Sequence, residues 1–321
     1  MGSTSTITDV ASFADFDLGE FGPYFEIISV GNPHDENDGI EVTHLEYLSR
    51  RMKLLQDCLR RFKPRLIAPS GMFDLGSIRL KPPKHRALRG CKWAERLLGG
   101  TYIYDVRSKK RRGIGQFPKK RIYYLAGGCW QDTPSLAHWR FVAELARQVP
   151  NAIVSLISQP LAPVSPAPVA MPHLSHVYKK LMQQSRVNGE RVIWAGDGSG
   201  ANVALGQVIW SLSRENEMGP AGVMAICPPT DLKHMDERIL EIVDKDPILT
   251  LPLIHGTAQT WVSSLDRSLL KTDVLPMPNG NMFEVTDPRV SPINAQLNMF
   301  AAFNVKVHGV TAGYDLLSPE G

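Results

Sequence analysis

The residues with the clearest chemical signal lie around a glycine-rich turn at positions 196 to 200. The segment from Arg191 to Asn202 has the sequence RVIWAGDGSGAN, an apolar run followed by three alternating glycines and then by a helix-forming stretch. A strand, a tight turn and a helix in that order resemble the G-x-S-x-G turn, which holds a serine nucleophile at its apex. The central residue here is Gly198, so no side chain stands where a catalytic serine would be.

Ser199 is the alternative nucleophile, because it directly follows the apex. A turn centred on Ser199 would place Asp197 and Ala201 at the two most crowded positions. Glycine is the usual residue where backbones approach closely, and an aspartate fits such a position poorly. The sequence therefore favours Gly198 as the apex and keeps Ser199 as the alternative.

The overall composition limits the classes of protein to which the chain can belong. Its 321 residues, 43% of them apolar, suit one α/β domain with an attached cap. The four cysteines have neither paired nor metal-ligand spacing, so we expect no disulfide framework, no metal site and no cofactor. This cysteine usage favours a reduced, cytoplasmic location. No apolar run is long enough to cross a bilayer, and we expect no membrane span.

A basic run between two strand-like segments raises the question of a nucleic-acid partner. Its members are Arg107, Lys109, Lys110, Arg111, Arg112, Lys119, Lys120 and Arg121. No aromatic residue is interleaved in the most basic part, and the flanking strands suggest a solvated hairpin. We therefore expect no nucleic-acid partner.

The chain divides by pattern into an arm, a helical region and a larger core. Residues 1–40 are polar and acidic without periodicity, which predicts a loosely ordered arm. Residues 41–100 are expected to form an N-terminal helical cap region, beginning with a helix capped by Thr43. The apolar stripe of that helix consists of Leu45, Leu48, Met52, Leu55, Leu59 and Phe62. Residues 101–321 form the expected core, with a proline-bearing cap insertion at about 235–285.

Strands and helices alternate along the core. Strands are predicted at 121–125, 152–158, 191–196, 222–227 and 305–310, with helical patterns after the first three of them. This alternation predicts a mainly parallel, doubly wound sheet. Ligands of such sheets bind beyond the carboxyl ends of the strands.

Four further motifs follow one another in a fixed order around the turn. They are Ala126-Gly127-Gly128-Cys129-Trp130, Leu161-Ala162-Pro163, Asp287-Pro288-Arg289-Val290-Ser291-Pro292 and Ala312-Gly313-Tyr314-Asp315. Together with the turn, this order resembles the hormone-sensitive-lipase-like, carboxylesterase branch of the α/β-hydrolases over about residues 121–321. In the first motif, alanine and cysteine replace the histidine and the third glycine of the family's HGGG loop.

The resemblance implies a Ser-Asp-His triad and an oxyanion hole. Its nucleophile position falls on Gly198 and its acid position on Asp315, while the amides of Gly127, Gly128 and Ser199 would bind the oxyanion. None of the nine histidines follows Asp315. Among the nine, His308 is expected to be a structural residue in the last strand, and His255 lies in the cap insertion.

The sequence thus predicts an α/β-hydrolase-fold protein of esterase descent, a pseudoenzyme whose ester hydrolysis is lost or severely reduced. Its expected role is to bind, or to transform without a covalent intermediate, a small molecule with a carbonyl or carboxylate group. The first alternative is an active carboxylesterase that uses Ser199 and a histidine beyond the end of this chain. The second is an interaction protein that uses the basic run or an open sheet edge.

The resemblance also bears on the last strand, Val305 to Val310. In the resembled fold another helix and an edge strand follow the acid, and this chain apparently lacks them. An open edge invites pairing with another strand. We therefore expect a homodimer or a partner across that edge.

Overall fold

A computed structural model of the chain divides into two units, Met1–Arg61 and Phe62–Gly321. It describes residues 27–29, 43–45, 54–61, 75–83, 87–110, 119–214, 219–263 and 283–320. In the first unit, strands β1 (Ile27–Ser29) and β2 (Thr43–Leu45) pair antiparallel, and helix α1 spans residues 54–61.

The helix predicted from Leu45 onward is wrong at its start. Thr43 and Leu45 belong to β2 and pair with β1, so Thr43 does not cap a helix. An apolar spacing cannot show that a distant strand competes for the same residues. The rest of the predicted stripe is helical at 54–61, and residues 46–53 and 62 lie outside the described residues.

The second unit is built on a seven-stranded sheet. Its strands are β3 (Cys91–Leu98), β4 (Thr101–Ser108), β5 (Lys119–Leu125), β6 (Ala152–Ile157), β7 (Glu190–Asp197), β8 (Gly222–Ile226) and β9 (Lys306–Val310). The spatial order is β3-β4-β6-β5-β7-β8-β9. The β3/β4 and β4/β6 pairs are antiparallel and the four remaining pairs are parallel, which confirms the predicted mainly parallel sheet.

The hairpin predicted for the basic run is wrong. Strand β4 pairs with β6, and β5 lies on the far side of β6, so β4 and β5 are not neighbours. Hydrophobic strand patterns do not contain the spatial order of strands, and the crossover therefore could not be seen in the sequence. Residues 111–118 of the run lie outside the described residues.

The helices of the second unit are positioned by apolar faces. They are α2 (Leu136–Gln148), α3 (Ala167–Val187), α4 (Ser199–Leu212), α5 (Arg238–Ile242), α6 (Leu251–Val262) and α7 (Asn298–Ala302), with a 3₁₀ turn at Pro292–Asn294. Helix α2 buries Trp139, Val142, Ala143 and Ala146 on one face, the spacing typical of an amphipathic helix. Helix α4 is buried on nearly all sides, as expected for a helix between a sheet and other elements.

The register of the parallel strands gathers the predicted site residues at one edge of the sheet. Leu125 pairs with Gly196, Asp197 with Ile226, and Ile226 with Val310. Residues 126–130, the glycine turn at 196–200 and the segment containing Asp315 therefore all come after the carboxyl ends of neighbouring parallel strands. This is where ligands bind in open α/β sheets.

The structure bears on the predicted open sheet edge and on the expected absence of a membrane span. Strand β9 lies at the edge of the sheet within the described residues, and its Val307 and Val310 are 48% and 52% exposed. Association across this edge stays a prediction. None of the described helices is both long and apolar enough to cross a membrane.

A buried ion network joins the middle strands. Arg121 is only 7% exposed, although the sequence placed it in a solvated basic run. Its guanidinium lies 2.7 Å from Glu190 and 3.2 Å from Asp105. Burial raises the pKa of Glu190, but hydrogen bonds from Arg121 and Ser185 outweigh this, and the pKa is lowered overall. The two carboxylates explain why this arginine is buried.

We expect Arg121→Met to destabilise the fold by about 3–5 kcal/mol at neutral pH, because it leaves the buried Glu190 carboxylate without its partner. The measurement is urea unfolding. Since the folded pKa of Glu190 lies below the unfolded value of 4.5, its stabilising contribution is present above that pH and is lost as the pH falls further. The difference in unfolding free energy between the parent and the variant should therefore become smaller at acidic pH.

Arg79→Met is the matched control, because Arg79 is 69% exposed in its ion pair with Glu95. Exposed pairs contribute little to stability, and the unfolding midpoint should hardly move. An equal loss of unfolding free energy in both variants would show that the buried network contributes no more to stability than an exposed ion pair.

Candidate functional site

The glycine turn has its apex at Gly198. This residue connects β7 to α4 with φ +49° and ψ −126°, a conformation that favours glycine. A Cβ on Gly196 would lie 2.5 Å from the backbone of Gly200, and a Cβ on Gly200 would overlap the carbonyl oxygen of Leu125. The two crowded positions are therefore 196 and 200, as in a G-x-S-x-G turn centred on Gly198.

There is space for a side chain at the apex. A Cβ built on Gly198 would have the Cα of Gly127 as its nearest neighbour, at 3.9 Å. Gly198 is thus required by its backbone angles and not by crowding. The apex therefore has room for a side chain and carries none.

Ser199 points its hydroxyl at the neighbouring loop. It is the first residue of α4 and is 4% exposed. Its Oγ accepts a hydrogen bond of 3.0 Å from the backbone N–H of Trp130. The side chain therefore ties the turn to the glycine loop, which we define as residues 126–130.

The glycine loop has a strained backbone held by bonds at several points. Gly128, Cys129 and Trp130 have φ values of +137°, +54° and +58°. For a residue other than glycine such angles cost about 1–3 kcal/mol each and persist only where the surroundings enforce them. The enforcing bonds here run from Gln159 Nε2 to Ala126 O (3.3 Å) and from Ala162 N to Trp130 O (2.8 Å).

Asp197 is the polar centre of the site, and sequence reasoning missed this role. Its carboxylate accepts hydrogen bonds from Tyr124 Oη (2.5 Å), Gly127 N (3.0 Å) and His138 Nε2 (3.1 Å). Burial raises the pKa of Asp197, but these bonds outweigh it, so the pKa lies below its usual value. Tyr124 and His138 lie far away in sequence, and no local pattern links them to Asp197.

The tautomer of His138 follows from its other nitrogen. The backbone N–H of Ser135 donates to His138 Nδ1 at 2.9 Å, so Nδ1 is unprotonated. The proton then sits on Nε2 and points at Asp197. His138 therefore donates from Nε2 to this carboxylate and orients it.

These bonds change the set of amides open to a ligand. The N–H of Gly127 already donates to Asp197. For the N–H groups of Gly128 and Ser199, no hydrogen-bond partner is found within the described residues. Ser199 also begins a 14-residue helix, whose N-terminus favours negative charge. Gly128 and Ser199 are therefore the better candidates for binding a carbonyl oxygen.

Asp315 lies beyond β9 and pairs with a thiol. Its Oδ1 accepts from Leu317 N at 2.9 Å, and the thiol of Cys227 donates a hydrogen bond to its carboxylate. Burial raises the pKa of Asp315. Burial and this carboxylate raise the pKa of Cys227 to about 12, so the thiol stays protonated.

Cys129 is also an inert thiol. Burial and the charge of Asp132 raise its pKa to about 11, and the thiolate is the reactive form. This environment is typical of a packed cysteine and not of a substitute nucleophile.

The histidines considered in the sequence do not reach the turn. His308 lies in β9, where burial lowers its pKa. His255, on α6, meets His234 edge-on at a centroid distance of 5.6 Å. His234 in turn bonds to Glu320 at 2.9 Å, with both side chains almost fully buried. This pair, which the sequence analysis missed, anchors the segment after Asp315.

The motif at 287–292 fastens α4 from another side. The side-chain amide of Asn202 donates to Val290 O (2.6 Å) and to Pro229 O (2.8 Å). Asn202 is fully buried. The motif therefore supports the turn through its backbone.

Helix α6, in the predicted cap insertion, packs on the glycine loop through two tryptophans. The rings of Trp130 and Trp261 are stacked, with centroids 5.7 Å apart and planes 13° apart. They are 3% and 1% exposed. Neither indole N–H has a partner within the described residues. An unpaired buried donor costs about 1–3 kcal/mol.

The described residues contain no group of three or more His, Cys, Asp and Glu side chains placed to hold a metal ion. What they offer at the turn is two unbonded amides, two carboxylates and two indoles.

Comparisons with known proteins agree with this geometry. A family model described as alpha/beta hydrolase fold matches residues 122–321, more than half of the chain. Carboxyl esterase 2 from the mycorrhizal fungus Tuber melanosporum shares 18% identity over 86% of this chain and 82% of its own, with a TM-score of 0.63. A hormone-sensitive lipase from a metagenome library shares 18% identity over 81% and 86%, with a TM-score of 0.56. At these identities the likeness shows a shared fold. No curated protein sequence matches the chain.

We expect Gly198→Ala and Gly200→Ala to differ sharply, because only the second creates an overlap with backbone atoms. Gly198→Ala should cost about 1–3 kcal/mol for its unfavourable φ and should still unfold cooperatively. Gly200→Ala should show no cooperative transition. The measurement is thermal unfolding followed by circular dichroism.

Gly256→Ala serves as the control, since a Cβ there meets nothing within 4 Å and alanine favours the helix. It should unfold at or above the temperature of the parent. Loss of folding in Gly198→Ala, with Gly200→Ala intact, would place the apex elsewhere.

Proposed function

The chain belongs to the α/β-hydrolase fold family, and from that premise we propose that it binds a small neutral carbonyl compound and does not hydrolyse esters through a serine. The single observation that carries this proposal is the turn at Gly198, which keeps the shape of a nucleophile turn and has no side chain at its apex. The family's esterase-like fold supports a site at this place.

The remaining chemistry of the site is polarisation of a carbonyl group. The N–H groups of Gly128 and Ser199 would donate to the carbonyl oxygen, and the N-terminus of α4 adds a favourable field. Asp197 holds the loop that carries Gly128, through its bond to Gly127 N. These groups bind and polarise a ligand, and none of them attacks it.

Charge favours a neutral carbonyl over the carboxylate considered from the sequence. Asp197 directly precedes the apex. Cys227 follows the end of β8, and Asp315 comes after the end of the neighbouring strand β9. The charges of Asp315 and Asp197 both raise the pKa of the Cys227 thiol. An anionic ligand at the turn would be repelled by them.

The first alternative, an active carboxylesterase using Ser199, has less support. Ser199 Oγ is buried and bonded to Trp130 N. An attacking serine needs its hydroxyl free to bond to a base, and this hydroxyl already accepts the N–H of Trp130.

The cellular location is a second part of the proposal. Cys91, Cys129 and Cys227 are all free thiols, and a reduced compartment such as the cytoplasm suits them.

We expect parent and Ser199→Ala proteins to hydrolyse p-nitrophenyl butyrate at the same low rate, because Ser199 is not positioned as a nucleophile. A fluorophosphonate probe should label neither protein, as checked by intact mass. Heat-denatured parent protein is the control for non-specific labelling. Activity and labelling that both vanish in Ser199→Ala would establish the esterase alternative.

We expect ethyl butyrate to raise the melting temperature of the protein, and sodium butyrate at the same concentration to have no effect. Ser199→Ala should keep this response, because it retains the backbone N–H. Ser199→Pro should abolish it, since proline removes that donor and is tolerated at the first position of a helix.

The two Ser199 variants lose the same hydroxyl, so their difference reports the amide alone. Circular dichroism of both confirms that they fold. An equal response in Ser199→Ala and Ser199→Pro would mean that the ester binds away from the turn.

A further inference from the structure

Two buried indole groups, one on the glycine loop and one stacked on it, each have an Nε1 donor with no hydrogen-bond partner within the described residues. Trp130 belongs to the glycine loop, and its backbone N–H lies 3.0 Å from Ser199 Oγ. Its ring is stacked on that of Trp261. Both side chains are more than nine-tenths buried, and both Nε1 atoms lack a hydrogen-bond partner within the described residues.

Another buried tryptophan shows that the fold can provide a partner for an indole N–H. The Nε1 of Trp194, which is 2% exposed, donates to Met182 Sδ at 3.4 Å. Buried donors in folded proteins are generally paired. Two unpaired donors in one stacked pair, next to a candidate binding turn, therefore call for a ligand acceptor.

Helix α6, which carries Trp261, is attached in a way that permits movement. The hydrogen bonds found for it within the described residues are internal to the helix and its ends. Its contacts with the core are made by buried side chains, Ile254, Ala258 and Trp261. A shift of α6 would break no hydrogen bond to the core among these, and would expose the indole donors.

We propose that the indole N–H groups of Trp130 and Trp261 are specificity donors for a second oxygen of the ligand, which reaches them when α6 shifts away from the glycine loop. This inference rests on the proposed function, because the first oxygen is the carbonyl held by Gly128 and Ser199. The ligand class is a neutral compound with two acceptor oxygens joined by a short carbon spacer, such as a β-keto ester. A neutral acceptor also suits the two carboxylates near the turn.

The test compares two ligands that differ by one oxygen. Ethyl acetoacetate and ethyl butyrate have the same chain length, and the first has a ketone where the second has a methylene. The full chain is labelled with ¹⁵N at its six tryptophans, and the indole N–H resonances are followed during titration with each ligand.

With the parent protein, ethyl acetoacetate should bind roughly ten-fold more tightly than ethyl butyrate, as expected for one added hydrogen bond. It should also shift at least one of the Trp130 and Trp261 resonances downfield. The resonance of Trp194, whose N–H is already bonded, should not move. This comparison needs no variant and so does not depend on a variant's folding.

Trp130→Phe and Trp261→Phe assign the resonances and remove the donors while keeping an aromatic ring. At least one of them should reduce the ten-fold preference to about one-fold. Trp194→Phe is the matched control, because it loses the same ring volume at a site whose donor has a partner. The preference should survive in that variant.

Several results would overturn the inference. Equal binding of the two esters, with the response to Ser199→Pro intact, would refute the indole donors and leave the proposed function standing. Indole resonances that are already downfield, show contact with water and stay unchanged would show that a buried water is the partner. Failure of both esters to bind would refute the inference together with the proposed function.

Discussion

The close approach of α4 to the sheet is the constraint on which the site depends. Gly200 lies against the backbone of Leu125, at the end of β5, and Gly196 lies against Gly200. Only residues without a Cβ let the chain leave β7 and enter a helix over such a short distance. This contact also brings the glycine loop, which continues from β5, beside the first turn of α4. The turn and the loop are therefore positioned by one steric requirement.

A polar network then fixes the loop in its strained form. Asp197 binds Gly127 N from the turn side, and Ser199 Oγ binds Trp130 N. In an esterase of this fold the same segments would position a nucleophile and its oxyanion donors. Here the network maintains the amides although no side chain stands at the apex. The backbone of the glycine loop is thus held in place by side chains on both sides of the apex.

The sequence predicted the fold because the signals for it are local. The crowding at Gly196 and Gly200 follows from three glycines in five residues, and the parallel sheet follows from alternating strand and helix patterns. The polar contacts around the site join segments that are distant in sequence. Asp197 pairs with His138, and His234 pairs with Glu320. The same limit explains the errors at Leu45 and in the basic run, where strand pairing decided the outcome.

The open apex has a consequence for how this protein tolerates change. A serine held at φ +49° would store conformational strain in the folded state, which enzymes accept in return for reactivity. Glycine adopts the same angles without that cost. Glycine at this position therefore keeps out of the folded state a strain that a serine would add. The residues other than glycine that do carry left-handed strain beside the turn are Cys129 and Trp130, in the loop opposite.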